Sequence, residues 1–362
     1  MNPFLATVTL VLLAAALFTL PLLPALYELR RKHDAEPLSV IQQYAGDIRH
    51  FAGGFRTYID GLRQPLQECV ASGTSARGTL RDGGEYLLLG REDNSCFNSA
   101  GVMGGTTCPL VIAAGVDLVL PSGFTFIKEI YASGQFVGGE ESTYRAILGD
   151  KNVHLQRASK VMRWAHATGD FQVDHDCDLY GRISSDGDML LGSGCTFQRL
   201  NAPRIAMGSA GTKVESCRVQ PSDAAPNRQA PEEPVRRRLI EGDWEIRSGE
   251  VVIGNIVSRG KLHIEAGARV CGSVKSNGEM VLDADVVVDG SLISAATMHI
   301  GPRCQIRGPV IAEHGMMIES GSQCGTAQIP TTVSAPIIDV QVGSLFFGTL
   351  WAREQGRVVP SR

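Results

Sequence analysis

The sequence has few aromatic residues, little net charge and no cysteine pattern typical of a secreted scaffold. Aromatic residues make up 6% of the 362 residues, and 34 Lys and Arg face 38 Asp and Glu, giving a net charge of −4. This balance excludes a broadly basic nucleic-acid-binding protein and a strongly acidic disordered chain. The nine cysteines are odd in number and scattered, which favours reduced thiols in a cytosolic compartment over a disulfide framework.

The sequence also lacks the short motifs that mark common catalytic and nucleotide-binding sites. It contains no G-x-x-x-x-G-K-[ST], no G-x-S-x-G and no H-E-x-x-H, and no G-x-G-x-x-G follows a strand. We therefore predict no catalytic, cofactor-binding or metal-binding residues. The expectation is a protein that is not an enzyme, needs no cofactor and does not bind nucleic acid.

One long apolar run near the beginning of the chain predicts a membrane anchor within residues 1–30. From Phe4 to Leu29 the only charged residue is Glu28, and the run is long enough to cross a hydrocarbon core of about 30 Å as a helix. A secretory signal peptide would carry a basic residue before the run and a small-residue cleavage site after it, and this run has neither. Residues 30–32 (Arg, Arg, Lys) follow directly, so the positive-inside rule places the rest of the chain in the cytoplasm.

Helical spacing follows the anchor. Apolar residues between Leu38 and Leu66 recur mostly at steps of three, four or seven, although Gly53, Gly54 and Gly61 weaken the pattern. We expect residues 31–75 to form an amphipathic helical region that packs on the domain after it. A helix that binds a partner or lies on a membrane surface is the alternative.

The body of the chain repeats every 18 residues. Five columns of residues, one of glycines and four of mainly apolar residues, recur in register over at least four copies. The columns are Gly254, Gly272, Gly290 and Gly308; Trp244, Leu262, Met280, Met298 and Met316; Ile246, Ile264, Leu282, Ile300 and Ile318; Val252, Val270, Val288, Ile306 and Cys324; and Ile256, Val274, Leu292 and Val310.

This period predicts an all-β fold, a three-sided β-solenoid. Every sixth residue from Ile246 is apolar or small, with two large aliphatic residues followed by one small residue, as three sides and one tight corner would require. Within a side, apolar residues lie two apart, as in Met280 and Leu282, which is strand alternation with one face inward. A fainter copy of the same frame begins at Leu155 and places Phe171 and Met189 in the column of Met280.

These patterns divide the chain after the helical region into four segments. We expect an irregular to regular β-solenoid in residues 76–220, a Pro- and Arg-rich linker or loop in 221–238 and a second solenoid in 239–330. Residues 331–362 are apolar and follow the last periodic turn, so they are expected to cap the stack or to form a contact surface.

The titratable residues do not form an obvious site. His263 and His299 share one outward column two turns apart, about 9.6 Å from each other, which is too far for one metal ion. Residues 174–178 read Asp-His-Asp-Cys-Asp, but Cys177 also falls in a column of small core residues with Cys195. We interpret these residues as structural, with a reduced cysteine ladder favoured over a disulfide.

Residues 254–300 resemble the bactofilin family. Gly254, Gly272, Gly290 and Gly308, each followed two residues later by an aliphatic residue, are similar to the repeat of that family over roughly residues 240–326. The resemblance implies a β-helix that polymerises end to end without nucleotide and a bacterial scaffold for cell shape and envelope enzymes at the inner membrane. It implies self-association and envelope-protein partners; the spanning anchor and the extra N-terminal array depart from the family pattern.

Two enzymatic alternatives remain open. The chain is similar in period to hexapeptide-repeat acyltransferases, for which His154, His166 and His314 are the candidate bases. A carbohydrate-active β-helix protein would use carboxylates clustered on one face. Its candidate residues here are Asp174, Asp176, Asp178, Asp186 and Asp188.

Overall fold

A computed structural model describes residues 48–80, 83–91, 106–208 and 237–361, together with isolated helical positions between residues 4 and 20. The chain divides into two units, Met1–Asp47 and Ile48–Arg362. Most of the predicted anchor, residues 31–47 of the helical region and residues 221–236 of the linker lie outside the described residues. Where the chain is described, no helix combines the length and the apolar character needed to cross a membrane.

Two helices begin the second unit and pack on the β structure that follows. α1 (His50–Asp60) and α2 (Arg63–Ser72) are separated at Gly61, one of the glycines expected to weaken the helical pattern. Their apolar face lies against outward side chains of the neighbouring strands, and the ring of Phe55 lies 5.7 Å from that of Trp164. The expectation that this region packs on the following domain is confirmed for residues 50–72.

The first array of strands occupies residues 75–207. It begins with a short antiparallel hairpin, formed by its first two strands, and parallel strands then stack turn upon turn. Its strands are β1 (Ser75–Thr79), β2 (Glu85–Leu89), β3 (Thr107–Cys108), β4 (Val111–Ala114), β5 (Leu118–Val119), β6 (Thr125–Ala132), β7 (Phe136–Gly138), β8 (Thr143–Gly149), β9 (Val153–Leu155), β10 (Lys160–Ala167), β11 (Phe171–Val173), β12 (Asp178–Ser185), β13 (Met189–Leu191) and β14 (Thr196–Met207).

The second array occupies residues 237–359. Its strands are β15 (Arg237–Ile240), β16 (Trp244–Ile246), β17 (Val251–Ile253), β18 (Asn255–Ser258), β19 (Leu262–Ile264), β20 (Arg269–Cys271), β21 (Val274–Ser276), β22 (Met280–Leu282), β23 (Val287–Val288), β24 (Leu292–Ser294), β25 (Thr297–Ile300), β26 (Gln305–Ile306), β27 (Val310–Ala312), β28 (Gly315–Ile318), β29 (Gln323–Cys324), β30 (Thr331–Gln341) and β31 (Leu345–Val359). The two arrays together make about 12 turns of a β-solenoid.

Pairing offsets confirm the period of about 18 residues. Leu262 pairs with Met280 and Met280 with Met298, so the column predicted from the sequence is a real stack of buried side chains. In the first array Phe171 pairs with Met189 at the same offset. Parallel pairing of residues one turn apart buries identical positions on top of one another, which is why one pattern of large and small residues recurs.

Glycines recur where the backbones of successive turns approach closely. A Cβ atom on Gly290 would lie 2.5 Å from the carbonyl group of Gly272 in the turn before it. Backbone at that distance cannot move aside for a side chain. The predicted glycine column is therefore a packing requirement of this corner.

Small polar or cysteine side chains recur at two corners of the turns and identify equivalent faces in the two arrays. At one corner the hydroxyls of Ser258 and Ser276 donate to carbonyl oxygens 16 residues earlier, and Ser185 of the first array does the same. At another corner Cys195 and Cys304 donate to carbonyl oxygens 21 residues earlier. We call the face that ends at the serine corner face A; faces B and C follow it along the chain.

The last turns of the two arrays pair with each other. β31 is parallel to β30 on one side and antiparallel to β14 on the other. The antiparallel segments are 199–202 with 348–351, 205–206 with 345–346, and 196–197 with 356–357. Face A of one array thus meets face A of the other, whereas face B of each array meets face C of the other. The arrays run in opposite directions along one stack and are related by an approximate two-fold axis across face A.

Residues 331–359 therefore continue the solenoid and build this junction. The sequence predicted a cap or a contact segment there because the 18-residue period ends. In the structure, the pairing offset grows to 23 residues between Val310 and Val333, which is why the period is lost. Phe346 and Leu350 are buried in the core, and the Arg199 guanidinium lies 5.0 Å from the centroid of the Trp351 ring across the junction.

Candidate functional site

The first turn of the second array has strand edges that no described strand covers. β15, β16 and β17 each pair on one side only, with β18, β19 and β20. Unpaired strand edges are templates for pairing with another chain, and proteins normally cover or blunt them. We refer to residues 237–253 as the terminal turn.

Apolar side chains are exposed on the terminal turn. Leu239, Val251 and Ile253 are 52%, 60% and 78% exposed, and Ile253 is the most exposed large apolar residue of the described solenoid. They occupy outward positions, where their partners one turn further along are Val257, Arg269 and Cys271. Exposed apolar residues at an open sheet edge are typical of an interaction surface.

The end of the core is covered by an aromatic ring and a cation. Arg238 pairs with the buried Ile256 and so occupies an inward column that is aliphatic in the other turns. Its guanidinium lies 5.5 Å from the centroid of the Trp244 ring, within the range of a cation–π contact. Trp244 replaces the Leu and Met residues of its column, and it is partly buried against the core.

Charge is divided along the edge of the terminal turn. Arg237 and Arg238 stand on β15, whereas Glu241 and Asp243 follow the strand directly. Glu241 forms an ion pair with Arg259 of the next turn at 2.9 Å. A shallow depression next to this edge is lined by Arg238, Asp243, Trp244, Glu245, Arg247 and Glu250. The edge thus has a basic beginning and an acidic end.

The opposite end of the stack is different. There β1, β3 and β5 are the strands with one described partner, and β3 and β5 contain two residues each. β1 reads Ser-Ala-Arg-Gly-Thr, and its Arg77 pairs with Glu85 at 2.7 Å. Short strands and an edge with charged residues are the usual devices that prevent edge pairing.

The three histidines considered as catalytic bases are not brought together. His154 lies on face B of the first array, 3.0 Å from Asp174, and His314 is exposed at a corner of the second array. His166 lies on the outside of face A beneath α1, with Nδ1 2.9 Å from the Ser184 hydroxyl and Nε2 3.9 Å from Asp186. Burial lowers the pKa of His166, and Arg49 and Arg56 lower it further against the opposing effect of Asp186.

His263 and His299 share an outward column two turns apart, as predicted, with Val281 between them. Both are half-exposed and paired with carboxylates. His263 lies 3.1 Å from both Glu245 and Asp283, and the hydrogen bond to Asp283 is the main cause of its raised pKa. His299 lies 2.8 Å from Glu319.

The aspartates considered for carbohydrate chemistry serve separate contacts. Asp178 accepts a hydrogen bond from Thr196 in the next turn, Asp186 pairs with Arg49, and Asp188 pairs with Arg204. These contacts connect neighbouring turns or attach α1. Among the described residues, no group of three or more His, Cys, Asp or Glu is arranged to hold a metal ion.

Cys177, Cys195 and Cys304 are buried free thiols that donate hydrogen bonds to backbone carbonyl oxygens. Cys177 and Cys195 stack one turn apart and donate to the carbonyl oxygens of Gln156 and Asp174. The neighbouring Cys177 raises the pKa of Cys195, and burial raises the pKa of Cys304 and Cys324 to about 12. The thiols of Cys195, Cys304 and Cys324 therefore stay protonated at neutral pH, which makes them poor nucleophiles and metal ligands.

An apolar strip on the outside of face A is the lateral feature that sequence reasoning missed. Leu148 and Ala113 are fully buried at outward positions because α1 and α2 cover them. Arg56 attaches α1 to this strip through Asp150 at 2.7 Å, and Tyr131 donates to the same carboxylate. The signal in the sequence is loss of alternation, since Ala146, Ile147 and Leu148 are consecutive apolar residues.

Comparisons of the chain with family models, with curated proteins and with solved structures gave no match.

Proposed function

We propose that this chain is a membrane-anchored scaffold of bactofilin type, without enzymatic activity, that organises cell-shape or envelope machinery at the bacterial inner membrane. The single observation that carries the proposal is the terminal turn, where open strand edges and exposed apolar side chains end a long stack. A solenoid presents the same lateral surface turn after turn and offers adhesive edges only at its ends. Those are the properties that a scaffold needs.

The resemblance to bactofilins supports the family assignment within this proposal. The glycine column from Gly254 to Gly308 and the aliphatic residues that follow each glycine lie in the most regular part of the second array. There, each face contributes one short strand per turn. A nucleotide-independent scaffold needs no more than such a stack and its ends.

Membrane attachment rests on the apolar run from Phe4 to Leu29 and on the basic residues 30–32 that follow it. The solenoid is then cytoplasmic. A reporter that is active only in the cytoplasm, fused after Arg362, is expected to be active, and deletion of residues 1–30 is expected to release the protein from the membrane fraction. Activity of a periplasmic reporter alone would contradict this topology and favour an exported carbohydrate-active protein.

The scaffold function is tested in the bacterium that makes the protein. Deletion of the gene is expected to change cell shape or the distribution of envelope enzymes, and the wild-type chain should restore both. A chain with His154→Ala, His166→Asn and His314→Ala should restore them equally, because none of these side chains belongs to the terminal turn. A folded histidine variant that fails to restore the phenotype would contradict the scaffold and favour the acyltransferase.

A further inference from the structure

We propose that two copies of the chain join through their terminal turns, edge to edge around a two-fold axis, and that assembly stops at this pair. The proposal rests on the scaffold function above and names its first partner as a second copy. The resulting particle is a continuous stack of about 24 turns, twice the 12 of one chain. It has one adhesive contact in its middle and a blunted end on each side.

The junction inside the chain shows how two ends of this solenoid fit together. At β14 and β31 the face A strands pair antiparallel, and faces B and C exchange, so that all three sides are continuous across the joint. The two arrays have different sequences, yet a nearly symmetric arrangement pairs every face. Two identical terminal turns meet the same geometric conditions with true two-fold symmetry.

The same geometry fixes the register of the contact. Face A of the terminal turn is β15, in which Arg238 and Ile240 occupy inward columns and Leu239 points outward. Inward positions must oppose inward positions in an antiparallel pair. Pairing centred on Leu239 satisfies this condition and places Arg237 of each copy opposite Glu241 of the other. Pairing centred on Arg238 would place two guanidinium groups face to face.

Charge and apolar surface both favour this contact. The basic beginning of β15 lies beside the acidic end of the same strand in the second copy, which forms two Arg237–Glu241 pairs by symmetry. β16 of each copy lies beside β17 of the other. The exposed side chains of Val251 and Ile253 thereby gain a neighbouring strand.

Assembly stops at two copies because the described residues provide no second adhesive end. The last turns of both arrays are consumed in the internal junction. The remaining end presents the two-residue strands β3 and β5 and the charged edge of β1. An open filament needs two complementary ends on each subunit, and the part of the chain that the structure describes has one self-complementary end.

Sedimentation of the full chain in mild detergent tests the proposal. From submicromolar to high micromolar protein, the expected species are a monomer and a dimer only. A monomer at every concentration would overturn the contact, and growth into filaments would overturn the closure. The cell-shape experiment above is a separate readout, so the scaffold function can survive either failure.

Charge reversal tests the register. Arg237→Glu and Glu241→Arg should each weaken the dimer about tenfold, because like charges then face each other twice. An equimolar mixture of the two variants should dimerise as well as the wild type, since one copy then contributes two carboxylates and the other two guanidinium groups. A mixture as weak as the single variants would overturn this register.

A cysteine on the two-fold axis provides an independent measurement. Leu239→Cys places two thiols directly opposite each other, within disulfide distance, and oxidation should yield covalent dimers. Val257→Cys is the matched control, because Val257 pairs with Leu239 one turn further from the axis and its copies would be about 14 Å apart. Equal crosslinking of the two variants, or none in either, would overturn the proposal.

Discussion

The two arrays are built from the same turn but differ in regularity. In the second array, pairing keeps an offset of 18 residues on all three faces up to the last turns. In the first array, the offset changes from 18 to 17 within one turn, as between Phe126 and Glu129 and between Leu179 and Arg182. A solenoid therefore tolerates a residue more or less at a corner, provided that the strands on each side stay paired.

The cores of the two arrays differ as well. The first array stacks aromatic rings, with Phe126 5.4 Å from Tyr144 and Tyr144 5.8 Å from Phe136. The second array contains aliphatic residues, methionines and hydrogen-bonded serines in the equivalent interior. Residues 75–207 contain eleven aromatic residues and residues 237–359 contain four. The less regular array thus fills part of its core with aromatic rings, where the second array uses repeated smaller side chains.

The lateral surfaces show the clearest contrast. On the outward surface of face A, the first array is apolar and is covered by α1 and α2. On the same surface the second array presents Val257, Lys275 and Ile293, of which none is fully buried. The first array uses this surface for an intramolecular contact with α1 and α2. In the second array, no described helix covers this surface and no described strand covers the terminal turn.

The largest expected effect separates core from surface within the regular array. Met280 is fully buried, so Met280→Asp should unfold the second array at a cost of several kcal/mol, because it places a carboxylate in a dry core. Its neighbour Glu279 pairs with Lys261 at a half-exposed site, and Glu279→Ala should be nearly silent. Thermal unfolding of both variants checks this; equal losses would refute the register.

The second effect compares equivalent outward positions of the two arrays. Leu148→Ala should cost about 2–4 kcal/mol, because it leaves a cavity beneath α1. Ile293→Ala, at the equivalent but half-exposed position of the second array, should cost less than about 1 kcal/mol. Urea unfolding measures both values. If the two losses are similar, the helices do not cover the first array as described.

The third effect concerns the junction. A Cβ on Gly356 would collide with the ring of Phe197, which is buried and cannot move aside. Gly356→Ala should therefore destabilise the contact between the arrays by about 1–3 kcal/mol. Hydrogen exchange should then speed up at β14 and β31 and stay unchanged at β22. Faster exchange throughout the chain, or none at the junction, would argue against a local joint.

The smallest effect is a pH dependence confined to the first array. The pKa of His166 is lowered in the folded protein, so the unfolded state binds its proton first as pH falls through the ordinary value of 6.5. The stability of the helix-covered region should therefore decline between pH 7 and pH 5. His166→Gln should reduce that decline, measured by hydrogen exchange of α1. An unchanged pH dependence would exclude His166 as its source.

Much of the second array could be predicted from its sequence. Parallel stacking places residue i on residue i+18, so the period of Leu262, Met280 and Met298 states the pairing directly. The first array could be predicted only in part, because shifts of one residue at its corners remove a constant period before Leu155. The helical spacing of apolar residues predicted the buried side of α1, but it did not predict that α1 would pack on the outside of face A.

The junction could not be predicted because its pairs follow no period. Antiparallel pairing joins Leu200 to Leu350 and Ile205 to Phe346, and such contacts between distant segments leave no repeat in a single sequence. The segment from Leu345 to Trp351 was recognised only as apolar. Likewise, the terminal turn became visible as an open edge only when strand partners could be assigned to β15, β16 and β17.

One chain joins two arrays by their last turns. Asn201 and Thr349 oppose each other across this joint, and the Asn201 amide donates to the Thr349 hydroxyl at 2.9 Å. We predict that the double variant Asn201→Cys, Thr349→Cys forms an intramolecular disulfide. The control Asn201→Cys, Thr332→Cys should not, because Thr332 lies one strand beyond Thr349. Crosslinking of the control pair, or of neither pair in a folded protein, would contradict the joint.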